Sequence, residues 1–191
     1  MLYLKPKINN NGMKPMTLKN TREFLLKENF TFLRDKVSVY DTDKNKLGYF
    51  KGSLFNIGRT YKLYNLDETP LLTVKEKRIS LKSSYKFYKG GEKDDDNLIG
   101  ELKKKILAGV PKFTFEDENG EEMFEIAGKI FRREYRVLKK ENKVAEIDRK
   151  FFGSIIKNSF GVKMDENLTD EEALIILGVV IMLNHEEEEE E

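Results

Sequence analysis

The chain has 191 residues, of which 39% are hydrophobic and 11% aromatic, so it can form one folded domain and is not a disordered chain. It contains no Cys, which excludes disulfides and thiolate metal sites and is typical of a reducing compartment. The net charge is +1, but the acidic residues are unevenly distributed, because six of the 34 occupy 186–191. The rest of the chain has 35 basic and 28 acidic residues, a net charge of about +7. Such a basic body is compatible with an anionic partner.

The first twenty residues contain Pro6, Pro15 and the run Asn9–Gly12, which predicts an extended N-terminal arm over 1–20. They lack the apolar stretch of a secretory signal, and no window of the chain reaches the length of a membrane span. We therefore expect a cytoplasmic protein.

After the arm, alternating apolar and polar residues recur between turn residues at the spacing that is typical of a β-sandwich or barrel. No long crossover helix interrupts them, so the strands should be mainly antiparallel. Closing such a sheet removes its edges, which favours a barrel over 21–184. About twelve strands are predicted, near residues 22–28, 36–40, 47–52, 60–65, 71–76, 80–88, 98–106, 111–116, 121–127, 131–139, 143–150 and 159–165.

An uninterrupted apolar run, Ala173–Leu183, follows the last predicted strand. Thr169 and Glu172 have the spacing of a capping box, so we predict a helix over 170–184. The apolar run would be roughly 16 Å long, about half of a bilayer core, and it has no polar face with which to lie on a surface. A barrel of about twelve strands is too wide for its wall side chains to fill. We therefore predict a mainly β fold, a closed antiparallel barrel with this hydrophobic C-terminal helix buried inside, followed by a solvated acidic tail at 185–191.

Segments of the sequence also indicate a family. They are 54–57, 69–77, Ser80, 85–91, 145–150, 160–164 and the acidic residues that lead into 173–183, in this order within residues 22–184. Together they resemble the LURP-one-related family of the tubby-like superfamily, which also contains the phospholipid scramblases. The resemblance implies a twelve-stranded barrel threaded by a hydrophobic helix. It also implies binding of phosphoinositides through basic residues of the barrel, although no position here matches the tubby binding motif.

Patterns for catalysis, cofactors or metals do not stand out. Asp41–Asn45 begins like a calcium loop, but Lys46 and Gly52 stand where that loop needs Gly and Glu, so we interpret it as a hairpin turn. Asp94–Asn97 indicates a solvated hairpin tip. The only histidine, His185, is predicted to lie in a frayed tail, where it could not support a nucleophile. We expect no catalytic residue, no metal, no cofactor and no enzymatic activity.

Basic residues on the polar sides of three predicted strands are the strongest functional signal. They alternate with apolar residues such as Tyr85, Leu102 and Tyr135, so they should point away from the core. If they gather on the barrel wall, they would suit phosphate groups; ordinary solvated faces are the alternative. The candidate residues for anionic-lipid binding are Lys82, Lys86, Lys103, Lys105, Arg132 and Arg136.

We therefore expect a monomeric, non-enzymatic module that binds anionic phospholipid, such as a phosphoinositide, peripherally at a membrane surface. Three alternatives stay open. A scramblase-like activity would require the helix to enter lipid, which its length disfavours. A structural or protein-interaction role would involve a partner that the sequence does not identify. A nucleic-acid-linked regulator is the third, and we do not expect a nucleic acid partner because the basic residues lack the aromatic interleaving of a stacking platform.

Overall fold

Twelve β-strands and one α-helix form the protein in the computed structural model, which describes residues 21–29, 36–55, 58–79, 82–107, 110–129, 134–148 and 159–190. The predicted N-terminal arm, 1–20, lies outside these ranges. The strands are β1 (Glu23–Asn29), β2 (Lys36–Tyr40), β3 (Lys46–Phe55), β4 (Gly58–Asn65), β5 (Pro70–Ile79), β6 (Lys82–Lys89), β7 (Leu98–Leu107), β8 (Val110–Asp117), β9 (Glu122–Lys129), β10 (Glu134–Lys139), β11 (Asn142–Asp148) and β12 (Ser159–Met164). The helix is α1 (Asp170–Glu190).

The strands form a closed barrel in which each pairs antiparallel with its neighbours in the chain. β1 closes the barrel by pairing with β12, with Leu25 opposite Gly161. Alternate residues point inward, as Phe24 and Leu26 do on β1, and both are buried. The predicted closed antiparallel barrel is thereby confirmed.

Helix α1 supplies the core that a barrel of this size needs. Its apolar side chains are buried, among them Ile176, Val180 and Leu183, in one cluster with inward residues of the wall, and only Leu174 is partly exposed. Burial all round is what a helix without a polar face requires. The predicted buried C-terminal helix is confirmed. Among the described residues, no helix combines the length and the apolarity that crossing a membrane would take.

The start of α1 is fixed by the predicted capping box. The Glu172 N–H donates to Thr169 Oγ1 at 3.1 Å, and the Thr169 N–H donates to Glu172 Oε2 at 2.8 Å. Arg22 donates from Nη2 to the Leu168 carbonyl at 2.7 Å and ties the segment before β1 to the residues before the helix. The capping box thus fixes the first turn of α1, and the Arg22 contact holds that entrance to the barrel wall.

The predicted end of the helix is wrong. The helix was expected to stop at residue 184 and to be followed by a solvated acidic tail, but α1 continues to Glu190. His185 and Glu186 are 1% and 4% exposed, so both lie inside the barrel. A run of six glutamates favours solvent. Lys104 and Tyr85 of the wall nevertheless contact the first of them, Glu186.

Gly178 lies where α1 comes closest to the barrel wall. A Cβ atom at this position would lie 2.5 Å from Cε1 of Phe87 and 2.9 Å from Cδ2 of Leu72. Real Cβ atoms do not approach so closely, so only glycine lets the helix backbone pack against β5 and β6 at this level.

Candidate functional site

Lysines on neighbouring strands form a row across the outside of the barrel. Lys36 of β2 is directly opposite Lys51 of β3, and Lys51 is directly opposite Lys62 of β4. Each alternates with buried inward residues, so the three project from the same outer surface. Directly opposite residues have Cβ atoms about 4.5–5.5 Å apart, and like charges in such pairs are destabilising. The fold therefore tolerates electrostatic repulsion between these neighbouring lysine side chains.

The row continues onto β5 and β6. Lys75 is opposite Thr60 of β4 on one side and opposite Lys86 of β6 on the other. We call Lys36, Lys51, Lys62, Lys75, Lys86 and the nearby Lys93 the lysine face. Within the ranges that the structure describes, none of the first five forms an ion pair with a carboxylate. Their charges are therefore available to an anion from outside.

Two tyrosines stack within the lysine face. The rings of Tyr49 and Tyr64 have centroids 5.4 Å apart and an angle of 23° between their planes. Lys36 Nζ lies 4.2 Å from the centroid of Tyr49, within the range of a cation–π interaction. Burial, followed by repulsion from Lys36, lowers the pKa of Lys46, whose Nζ lies 5.4 Å from the same centroid. Aromatic rings therefore lie beside Lys36 and Lys46, which are not among the six candidate residues. The absence of a nucleic acid partner stays a prediction.

A groove of about 390 Å³ lies at one end of the lysine face, where the loop after β6 passes over β4. Lys62 Nζ donates to the Gly91 carbonyl at 2.8 Å, and Lys93 Nζ donates to Thr60 Oγ1 at 3.3 Å. Desolvation lowers the pKa of Lys93, and the charges of Lys75 and Lys62 lower it further. The Lys93 ammonium group thus lies at the Thr60 hydroxyl, and the charges of Lys62 and Lys75 are close enough to act on it. Glu92 and Asp94 also line this groove.

The six residues predicted to bind anionic lipid do not form one cluster in the structure. Lys86 belongs to the lysine face. Lys103 instead pairs with Glu116, and this hydrogen bond raises the pKa of Lys103. Lys105 is exposed and stands opposite Lys112 of β8, outside the lysine face.

Arg136 lies far from the lysine face, and the structure does not describe Arg132 or the side chain of Lys82. Arg136 lies on β10, which β7, β8 and β9 separate from β6, and it lines a different groove together with Glu146 and Asp148. The side chain of Lys82 and the whole of Arg132 lie outside the described part of the structure. Of the six candidates, the structure thus places only Lys86 on the lysine face.

Sequence reasoning missed most of the lysine face because each of its strands contributes only one or two lysines. A signal did exist, since Lys36, Lys51, Lys62 and Lys75 each stand on the polar side of consecutive strands. Recognising the row required the pairing register, which places Lys51 between Lys36 and Lys62, and Lys75 opposite Lys86.

A second group of charged residues lies inside the barrel, around the end of α1. Lys104 Nζ lies 2.6 Å from Glu186 Oε2, and the Tyr85 hydroxyl donates to Glu186 Oε1. His185 Nε2 lies 3.9 Å from Glu76 Oε2, and that oxygen accepts the Arg59 N–H at 2.9 Å. The prediction that His185 belongs to a frayed tail is therefore wrong. With Tyr85, Glu76 and His185 at most 2% exposed, this group holds the helix in place rather than meeting a ligand.

Among the described residues, no group of three or more histidine or acidic side chains could hold a metal ion. Asp41 instead closes a turn, where its Oδ1 accepts the Asn45 N–H at 2.8 Å. Asp94 accepts the Asn97 N–H at 3.0 Å and so caps a short turn of 3₁₀-helix.

Comparison with known proteins agrees with the fold. An X-ray structure of an Arabidopsis thaliana protein superposes with a TM-score of 0.64 at 16% sequence identity, covering 95% of this chain and 98% of that one. At this identity, the likeness establishes a shared fold only. No curated protein is significantly similar to the chain in sequence. The family described as LURP-one-related matches residues 22–183, which is most of the chain. The chain therefore belongs to the LURP-one-related family.

Proposed function

We propose that this protein is a non-enzymatic binding module that docks on anionic phospholipid, phosphoinositides included, through its lysine face. The observation that carries the proposal is the direct cross-strand placement of Lys36, Lys51 and Lys62 without a carboxylate partner in the described structure. Unscreened like charges in register cost stability in the free protein. An anionic surface would relieve that repulsion.

The expected strength suits reversible recruitment. A lysine near an anionic leaflet contributes roughly 1 kcal/mol, and five together give about 5 kcal/mol. This corresponds to a dissociation constant on the order of 10⁻⁴ M, which is weak enough for rapid release. Because exposed charges are screened, binding should weaken as salt rises above about 0.15 M.

Vesicle co-sedimentation tests the proposal. A variant with Lys36, Lys51 and Lys62 changed to Gln should lose most of its binding to acidic vesicles. The matched control changes Lys103, Lys112 and Lys143 to Gln, which removes the same charge from lysines that pair with Glu116, Glu125 and Glu146. The control should retain most of its binding. Equal losses in both variants, or equal recovery of the natural protein on neutral and acidic vesicles, would contradict the proposal.

The stacked tyrosines favour one second candidate, a single-stranded nucleic acid. Bases stack on aromatic rings while lysines follow the phosphates, and Tyr49 and Tyr64 lie among the lysines of this face. Fluorescence titration with a short oligonucleotide at two salt concentrations separates the candidates. Submicromolar binding that is lost in Tyr64→Ala would favour nucleic acid over lipid.

A scramblase-like activity, the other alternative, would require α1 to leave the barrel. The apolar residues of that helix form the core, so its departure would expose them all. Dithionite quenching of labelled lipid in reconstituted vesicles tests for this activity, and we expect no acceleration of lipid exchange.

A further inference from the structure

The connections at one end of the barrel are rich in carboxylates. Each strand is antiparallel to its neighbours in the chain, so every second connection lies at the same end. Those at the end where α1 begins, which we call the acidic rim, are 41–45, 66–69, 90–97, 118–121, 140–141 and 165–169. Their exposed acidic residues are Asp43, Asp67, Glu68, Glu92, Asp94, Asp95, Asp96, Glu118, Glu121, Glu141, Asp165 and Glu166.

Few cations accompany these carboxylates. The basic residues of the same six connections are Lys44, Lys93 and Lys140. Within the described ranges, no exposed carboxylate of the acidic rim forms an ion pair. Asp94 and Asp165 accept hydrogen bonds inside their own connections, which leaves their negative charge in place. The acidic rim thus has an excess of negative charge that faces solvent.

The lysine face has the opposite charge, and its length matches the width of the rim. Its strand lysines lie on the five neighbouring strands β2 to β6, so the row is about 19 Å long at about 4.8 Å per strand. It ends at β7, where Glu101 is opposite Lys86. Twelve strands at the same spacing form a barrel at least about 18 Å across, and strand tilt widens it. The rim of one molecule can therefore cover the lysine face of another.

We propose that the lysine face binds the acidic rim of a second copy of this chain. Charge complementarity and matching width support this occupant. Within one molecule the two surfaces do not neutralise each other, since no ion pair joins them among the described residues. The inference does not need the proposed function, but it competes with membrane binding because both use the lysine face. It departs from the expectation of a monomer.

The contact should be weak and open-ended. It joins two different surfaces, so each pair of copies keeps one free lysine face and one free rim, and assembly continues head to tail. A patch about 20 Å on each side buries roughly 400 Å² per copy, about half of what a stable complex buries. We therefore expect reversible association that rising salt dissolves.

Sedimentation velocity of the natural protein tests the association. At about 0.01 M salt the Debye length is about 30 Å, so the average mass should exceed that of one chain and rise with protein concentration. At about 1 M salt this length falls to about 3 Å, and the mass should return to that of one chain. A control with Lys103, Lys112 and Lys143 changed to Gln should associate like the natural protein.

Two variants separate the two surfaces. The face variant has Gln at its three central positions, which are Lys36, Lys51 and Lys62 in the natural chain. The rim variant has the corresponding amides in place of four exposed carboxylates from two connections, Asp95, Asp96, Glu118 and Glu121. Each variant alone should self-associate about tenfold more weakly than the natural protein at low salt. An equal mixture should form a dimer and nothing larger, because only the rim of the face variant and the lysine face of the rim variant remain.

The outcomes distinguish this inference from the proposed function. Natural protein that keeps the mass of one chain at low salt but binds acidic vesicles overturns the self-association and leaves the membrane as the occupant of the lysine face. Self-association without vesicle binding supports the contact between copies and contradicts the membrane function. A rim variant that associates like the natural protein, or a mixture without dimer, overturns the contact.

Discussion

Lys104 of the barrel wall and Glu186 of the central helix form an ion pair inside the protein, with 2.6 Å between Nζ and Oε2. The Glu186 side chain is 6% exposed and that of Lys104 is 19% exposed, so water screens the pair weakly. Tyr85 donates to the second carboxylate oxygen. One residue of the terminal glutamate run thus fixes the position of α1 along the barrel axis.

Removing Lys104 should destabilise the protein because the buried Glu186 carboxyl group would lose its cation. We expect Lys104→Met to lower the free energy of unfolding by about 2–3 kcal/mol, measured by urea titration. The control is Lys103→Met, which breaks the pair with Glu116 on the outer surface, where Lys103 is 40% exposed. That change should cost about 0–1 kcal/mol. Equal losses in both variants would contradict an internal role for Lys104.

Two truncations should separate the buried end of the helix from the residues after it. A chain that ends after Asn184 lacks His185 and Glu186, whereas a chain that ends after Glu186 keeps both. We expect the shorter chain to be less stable than the longer one by about 2–4 kcal/mol, since Lys104 loses its contact with Glu186 and Glu76 loses its contact with His185. Thermal unfolding of the two chains checks this. Identical midpoints would mean that the last helical turns do not anchor the helix.

Acid should weaken the start of α1 through Glu172. Burial alone would raise the pKa of this carboxyl, but hydrogen bonds from Lys139 and from the Thr169 N–H and hydroxyl lower it overall, below 4.5. A group with a lowered pKa contributes stability above its unfolded pKa and loses it as the pH falls through the folded one. Above about pH 5.5, Glu172→Gln should therefore be less stable than the natural chain, by about 1 kcal/mol.

That difference should shrink as the pH falls below about 4.5, which denaturant titration at several pH values can follow. The control Glu171→Gln changes an exposed neighbour in the same helical turn, which pairs with the exposed Lys89, and should cost only about 0–1 kcal/mol. A difference for Glu172→Gln that stays constant down to pH 3 would contradict the role of its charge.

A methyl group at Gly178 should destabilise the core. It would collide with Phe87, at a cost of about 1–3 kcal/mol, against a gain of about 1 kcal/mol in helix propensity. We expect a net loss of about 0–2 kcal/mol for Gly178→Ala. Adding Phe87→Leu makes room for the methyl group, so the double variant should lose less than the sum of the two single losses. If the loss in the double variant equals the sum of the two single losses in urea titrations, the collision with Phe87 is not what destabilises Gly178→Ala.

Local patterns allowed much of the fold to be predicted. The alternation of residues such as Phe24 and Leu26 with polar neighbours indicated the strands, and the spacing of Thr169 and Glu172 indicated the start of the helix. These features depend on residues within a few positions of one another. The apolar run 173–183 indicated a buried helix because no other environment suited its length.

The site depended on long-range pairing that no local pattern encodes. The strand register places Lys62 opposite Lys51 and Lys75 opposite Lys86, while β7, β8 and β9 keep Arg136 away from them. Basic residues on single strands therefore gave a set of candidates of which the structure places only Lys86 on the lysine face.

The sequence by itself determined that twelve alternating strands must enclose one apolar helix, because period and hydrophobicity act over a few residues. Only the tertiary structure decided where the charges lie. Glu186 belongs to a run that favours solvent, yet it is buried because Lys104 and Tyr85, 82 and 101 residues away, meet it inside the barrel. The environment of a charge depends on which distant partners the closed sheet brings to it.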